Sequence, residues 1–250
     1  MLSRIRRSPF LLPSAVAFLL LSVVALLLLM PVDRAPRSGG TESDPNCILG
    51  PNLRIKVGST VLAVPRRLAP TVFDLEGHSV GDTRTLCQRP DQPAIDAKSV
   101  TLQPGKNWVL PGVQIEIVSR LNSFAAPERA YNRALRLIER LGARLEQLPQ
   151  RHGFVVFDSI EKSPRVYISL PNEVENLDSI PLVINCSPQE ISSGDGRIYY
   201  GRSCRTGYHS ITGSLAAVYR FYDGDYPPET WRELNSSVRA LIDSFVEDDD

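Results

Sequence analysis

The sequence is poor in the residues that metal and cofactor chemistry draws on. Its 250 residues hold three histidines and four cysteines. His78, His152 and His209 lie far apart and form no H-x-H or H-x-x-x-H pair, so they predict no zinc site. Cys47, Cys87, Cys186 and Cys204 contain no C-x-x-C pair, which removes the usual thiolate metal sites. Gly194-Asp195-Gly196 lacks the acidic spacing of a calcium loop, and no glycine-rich phosphate loop is present. No metal and no cofactor is expected. Dense basic runs with interleaved aromatics are missing too, so nucleic acid is not an expected partner. There is no internal repeat. A regular β-α-β alternation is also lacking, which disfavours a doubly wound parallel sheet.

Charge is absent from one long stretch. Residues 10–30 (FLLPSAVAFLLLSVVALLLLM) contain no charged side chain. They are long enough to cross the roughly 30 Å hydrocarbon core of a bilayer as a helix. Arg4, Arg6 and Arg7 precede them in a basic tip (1–9), and positive residues favour the cytoplasmic side. No small-x-small cleavage pattern follows, and the apolar run exceeds that of an ordinary signal peptide, which favours a retained anchor. The expectation is a single-pass protein of the inner membrane of a bacterium, with its C-terminal part in the periplasm. Residues 31–45 are rich in Pro, Gly, Ser and charge and read as a flexible tether.

The remainder, 46–247, is sized for one substantial domain, with a possible sub-boundary near residue 125. In an oxidising compartment the four cysteines read as two disulfides, with sequence neighbourhood favouring Cys47–Cys87 and Cys186–Cys204. The formal net charge of zero hides an asymmetry, since basic residues predominate before residue 152 and acidic ones after it. Two mutually attracting halves explain that balance as simply as steering of a charged partner does.

Coarse periodicity gives an α+β domain, with a mainly antiparallel sheet, two amphipathic helices and disulfide bracing. Residues 53–64 alternate around Gly58-Ser59 and read as a strand pair or one bent strand. Val72-Phe73 starts a short strand. Residues 88–107, with Pro90, Pro93 and Pro104, read as mostly irregular. Strands follow at Trp108 to Leu110 and Val113 to Val118. A helix opened by Pro127 carries Tyr131, Ala134, Leu135, Ile138, Leu141, Leu145 and Leu148 at helical spacing, up to Pro149. Its arginines (Arg129, Arg133, Arg136, Arg140, Arg144) read as a solvated face. Strands are expected at 154–157, 165–170, 181–186, 197–200, 204–208 and 214–222. Turns are expected at 162–164 and 192–196. Pro227-Pro228 opens a last helix whose stripe is Trp231, Leu234, Val238, Leu241, Ile242 and Phe245. The acidic tail 248–250 opposes that helix's dipole and should fray.

Gly77-His78-Ser79-Val80-Gly81 matches G-x-S-x-G and resembles the nucleophile elbow of α/β-hydrolase lipases. The resemblance implies a serine nucleophile at Ser79, with His209 and Asp223 or Asp225 in triad order. An elbow needs a buried strand before it and a helix after it. Neither Val72 to Glu76 nor Asp82 to Thr85 has those patterns, so a polar turn is the simpler reading and no catalytic residue is assigned.

Six of the eight tyrosines fall between Tyr199 and Tyr226, among arginines. Tyr and Arg dominate interface hot spots. Tyr199, Tyr200, Arg202, Arg205, Tyr208 and His209, beside Cys204, form the candidate binding set. Tyr219 and Phe221 fit one strand face, with Arg220 and Tyr222 on the other. The expected function is a non-enzymatic, membrane-anchored domain that binds another protein. One concrete form is an immunity-type inhibitor of a delivered toxin; the alternatives are an accessory subunit of an envelope-spanning assembly and a hydrolase using Ser79.

Overall fold

The computed structural model describes residues 49–89, 92–103, 108, 110–122, 125–140, 145–159, 165–170, 180–192 and 198–247. The expected anchor, the tether, Cys47, the acidic tail and most of the turns at 162–164 and 192–196 lie outside these residues. Among the described residues no helix is long and apolar enough to cross a membrane.

Alternation of apolar and polar residues builds the first strands, β1 (Asn52–Val57) and β2 (Thr60–Pro65), which pair as an antiparallel hairpin. Gly58 sits at φ +65 in the two-residue loop, a conformation suited to glycine at the head of a tight hairpin turn. A β-carbon there would also lie 2.5 Å from Ser119 Oγ. β3 (Thr71–Phe73) follows, then β4 (Ile95–Ala97) and β5 (Ser99–Leu102). β4 runs parallel to β1 and completes a three-stranded sheet in the order β2-β1-β4. These two strands fall in the stretch expected to be irregular. Strands of three or four residues are too short to display a period.

β6 (Gln114–Ser119) belongs to the larger sheet, as do β7 (Leu145–Arg151), β8 (Phe154–Ser159) and β9 (Arg165–Ser169). So do β10 (Val183–Ser192), β11 (Ile198–Thr206), β12 (His209–Ser210) and β13 (Leu215–Tyr222). This sheet has ten strands, in the order β3-β5-β6-β13-β11-β10-β9-β8-β7 with β12 beside β13. Every pair in it is antiparallel. The expected mainly antiparallel α+β fold with two helices is therefore present. β6 pairs with β13, so the large sheet draws strands from both sides of residue 125.

Helix α1 spans Pro127–Arg140. It ends earlier than the leucine spacing implied, since Leu145–Arg151 is strand β7, paired with β8. Backbone pairing with a neighbouring strand overrides the helical period of these leucines. The β7 register shifts between Leu148 and Arg151, an irregularity that accommodates Pro149. The expected breaks at 187–191 and 201–203 also disappear, because β10 and β11 run continuously through them. Trp108 and Leu110, expected in a strand, precede β6 as non-strand residues.

Helix α2 (Trp231–Asp243) lays its stripe on one face of the large sheet. Trp231, Leu234, Val238, Ile242 and Phe245 are buried in a cluster that also takes in Leu53, Ile55, Ile115, Tyr219 and Phe221. The Trp231 ring meets Tyr167 at 4.6 Å, Phe154 at 5.5 Å and Phe221 at 5.6 Å, each edge-on, a preferred aromatic geometry. Its Nε1 donates to the Tyr226 carbonyl at 2.7 Å. On the opposite face, α1 packs Ala134 over Val166, Ile168 and Val183.

Three fastenings close the domain. Cys186 and Cys204 are directly opposed on β10 and β11 and form a disulfide; by the chain-entropy account such a closure contributes about 3 kcal/mol. Cys87 is disulfide-bonded as well. Arg66 is buried and donates to the carbonyls of Gly50, Thr83 and Leu86. Finally, residues after α2 return to the first hairpin: Ala63 N donates to Phe245 O at 2.7 Å and Glu247 N to Val61 O at 3.0 Å. Arg54 grips Glu247 through three contacts of 2.8 to 3.0 Å.

Candidate functional site

Strand alternation places one set of residues against α2 and the next set on the other face. On β13, Tyr219 and Phe221 are buried while Arg220 is exposed and Tyr222 half-buried, as the sequence pattern indicated. Register extends the outer set sideways. Asn185 on β10 faces Arg205 on β11, Arg205 faces Arg220 on β13, and Arg220 faces Gln114 on β6. The adjacent row is Ser187, Ser203 and Tyr222. Two polar rows thus cross the middle of the sheet, their Asn185, Ser187 and Arg205 end running beneath α1. A shallow depression of about 390 Å³ opens there, edged by Gln103, Gln114, Gln189, Ser203, Arg220 and Tyr222.

Arg205 and Arg220 stand directly opposite one another on neighbouring strands, and like charges so placed are destabilising. No carboxylate among the described residues forms an ion pair with either.

Between α1 and the same sheet face lies a deeper cleft of about 310 Å³. Arg129 and Arg133, one helical turn apart, overhang it from α1, and Arg205 faces them from β11. Asn185, Ser187 and Tyr208 add polar groups, while Ala130, Ala134, Leu137 and Val218 supply an apolar lining. The cleft is narrow at one end because α1 approaches Gly207 closely: a β-carbon on Gly207 would stand 2.6 Å from Ala130 Cβ. Burial raises the Tyr208 hydroxyl's pKa; the Glu116 carboxylate raises it further and the Arg205 guanidinium opposes the shift. Tyr208 thereby links Glu116 on β6 to Arg205 on β11.

The residues singled out from sequence are dispersed. Arg205 and Tyr208 line the cleft together. Arg202, three residues earlier on β11, shares the face of the buried Cys204 instead. Its backbone N–H donates to Asp223 Oδ1 at 2.9 Å, and its Nη1 is buried without a hydrogen-bond partner. Tyr199 and Tyr200 pair through the β11 backbone with Ile191 and Glu190. His209 does not belong to a surface: it is 3% exposed, on β12, with its ring 5.4 Å from Tyr219. Burial drives its pKa down to about 4, so the imidazole is neutral. Proximity in sequence does not make these residues neighbours on one surface, because a strand sends successive side chains to opposite faces. Arg129, Arg133, Asn185, Ser187 and Arg220 were not recognised from sequence as site residues. Only Arg220, exposed between two buried aromatics of one strand, carried a local signal.

Ser79 lies in a β-turn environment, not at an elbow. It bridges back to Phe73, with Gly77 and Gly81 at φ +92 and +101, and a turn at 83–85 follows rather than a helix. His209 Nε2 is buried without a hydrogen-bond partner, so it holds no serine hydroxyl. In the same turn, ligand atoms of Asp74, Glu76 and His78 lie within 4.8 Å of one another. The turn itself accounts for the arrangement, since His78 N donates to Asp74 Oδ1 at 2.7 Å and this bond holds the carboxyl below its ordinary range.

No family model matches the chain, and neither does any curated protein or solved structure.

Proposed function

We propose that this protein is a non-enzymatic binding domain, tethered to the inner membrane by residues 10–30 and facing the periplasm, and that its partner is another protein with an acidic surface. The observation that carries this reading is the polar sheet face around Arg220, which is exposed, and Tyr222, which is half-buried. It joins an amphipathic aromatic and a guanidinium to amide and hydroxyl groups, the composition of an interface centre. Its cationic charge is unpaired among the described residues, which selects an acidic counterpart. The Cys186–Cys204 disulfide and the bonded Cys87 suit an oxidising compartment.

The test is site-specific photo-cross-linking of the full chain in native membranes. A probe at Ser187, Gln189 or Tyr222 should trap one partner, whereas probes at Glu233 and Ala240, exposed on α2, should not. Arg220→Glu should abolish the product. Equal trapping from α2, or trapping that survives Arg220→Glu, would overturn the reading. The partner's identity separates an inhibitor of a delivered toxin from an accessory subunit of an envelope assembly. Exchange of the anchor adds a second criterion, since an inhibitor tolerates it and an assembly subunit does not.

A further inference from the structure

The cleft beneath α1 differs in kind from the open face beside it. An open face meets a broad surface; a cleft of about 310 Å³ falls at the lower end of the range for small-molecule sites. Its charged lining residues, Arg129, Arg133 and Arg205, are all exposed. Arg129 and Arg133 are one turn apart on a helix, where like charges repel mildly, and Arg205 is opposed by a further arginine across the strands. Two independent elements, a helix and a sheet, thus each hold guanidiniums in unfavourable company and present them to one volume. Among the described residues no carboxylate forms a direct ion pair with Arg129, Arg133 or Arg205; Glu116 reaches Arg205 only through the Tyr208 hydroxyl. Guanidinium forks match carboxylate and phosphate oxygens in a bidentate manner. Beyond the charges, the lining turns apolar at Ala134, Leu137 and Val218, with Ala134 and Val218 both buried.

We infer that this cleft binds an amphiphilic anion: a phosphate or carboxylate head held by Arg129, Arg133 and Arg205, with a short apolar tail against Ala134, Leu137 and Val218. Asn185 and Ser187 offer further hydrogen bonds to the head, and the Glu116–Tyr208 link steadies Arg205 from behind. The inference goes beyond protein docking, whose centre at Arg220 and Tyr222 lies outside the cleft.

Calorimetric titration of the full chain in phosphatidylcholine nanodiscs tests it, with empty discs subtracted. The probes are hexyl phosphate, hexanoate, methyl phosphate and hexanol. Hexyl phosphate or hexanoate should bind, and whichever binds more tightly names the head group. Methyl phosphate should bind more weakly than hexyl phosphate, and hexanol should not bind. Arg205→Gln and Arg133→Gln should each weaken binding by about tenfold, the loss of one charge-assisted hydrogen bond. Arg136→Gln, on α1 but outside the cleft lining, should leave it unchanged. Thermal unfolding of each variant verifies folding, and cross-linking through Tyr222 reports separately on protein docking. Absence of heat with both hexyl probes, equal binding of hexanol, or undiminished binding in the Arg133→Gln, Arg205→Gln double variant would overturn the inference.

Discussion

The two faces of the ten-stranded sheet are made from the same strands and obey opposite rules. Against α2, β6 contributes Ile115 and Ile117, β13 contributes Ala217, Tyr219 and Phe221, and β11 contributes Cys204, all buried in one cluster. One residue away in each strand stand Gln114 and Glu116, Arg220 and Tyr222, and Ser203 and Arg205. The first face contains almost nothing that must be neutralised. Some of its polar members are satisfied locally, as when the Tyr219 hydroxyl donates to Asn235 Oδ1 at 3.2 Å, whereas Arg202 Nη1 and His209 Nε2 are buried without a partner. The second keeps guanidiniums opposite guanidiniums. Stability is invested on one face, and unfavourable charge is tolerated on the other because the first can carry it.

That contrast can be broken most severely at Trp231, where three rings converge. Trp231→Ala should destabilise the domain by about 3–5 kcal/mol, the usual cost of truncating a large buried aromatic, read as a lower urea midpoint. Acid attacks the same face more gently. An unfolded chain protonates His209 at its ordinary value near 6.5, whereas burial holds the folded value at about 4. The unfolded state therefore binds more protons between those limits, and stability falls as pH drops through that window. The slope approaches about 1.4 kcal/mol per pH unit at its steepest. Denaturant titrations from pH 7 to 4 should show this loss, and His209→Leu should flatten it. Asp74 and Asp82, both held low by local hydrogen bonds, exert their effect at more acidic pH and leave the window clear. On the outer face the sign reverses. Arg205→Gln or Arg220→Gln relieves a like-charge pair and should raise stability by roughly 0.2–1 kcal/mol while impairing binding. A loss of stability in both variants would mean that the arginines belong to the scaffold.

Much of the scaffold was legible in the sequence because it rests on short-range patterns. The Trp231 to Phe245 stripe, the alternation at Tyr219 to Tyr222 and the Cys186–Cys204 pairing follow from spacing, and the alternation around Gly58 left only a strand pair or one bent strand. The errors came where partners distant in sequence decide. Leu145 and Leu148 fit a helix until β8 offers backbone hydrogen bonds. β4 owes its existence to β1, about forty residues earlier, through pairs such as Ile55 with Ile95. The site was the least legible part. Arg129, Asn185 and Arg205 are brought together only when α1 settles on β9 and β10, and Arg202 and Arg205 part company because of strand parity alone.

The clasp between Arg54 and Glu247 joins residues 193 positions apart, and the edge of β2 likewise receives Val246. Chains dominated by such distant pairings fold slowly, because long loops must close before the contact rewards them. During synthesis β1 and β2 can meet as a hairpin at once, but the outer edge of their sheet stays vacant until residues 245–247 have emerged. β6 waits similarly for β13. The chain therefore spends its assembly with exposed strand edges, and a hairpin that pairs early gains its last neighbour late.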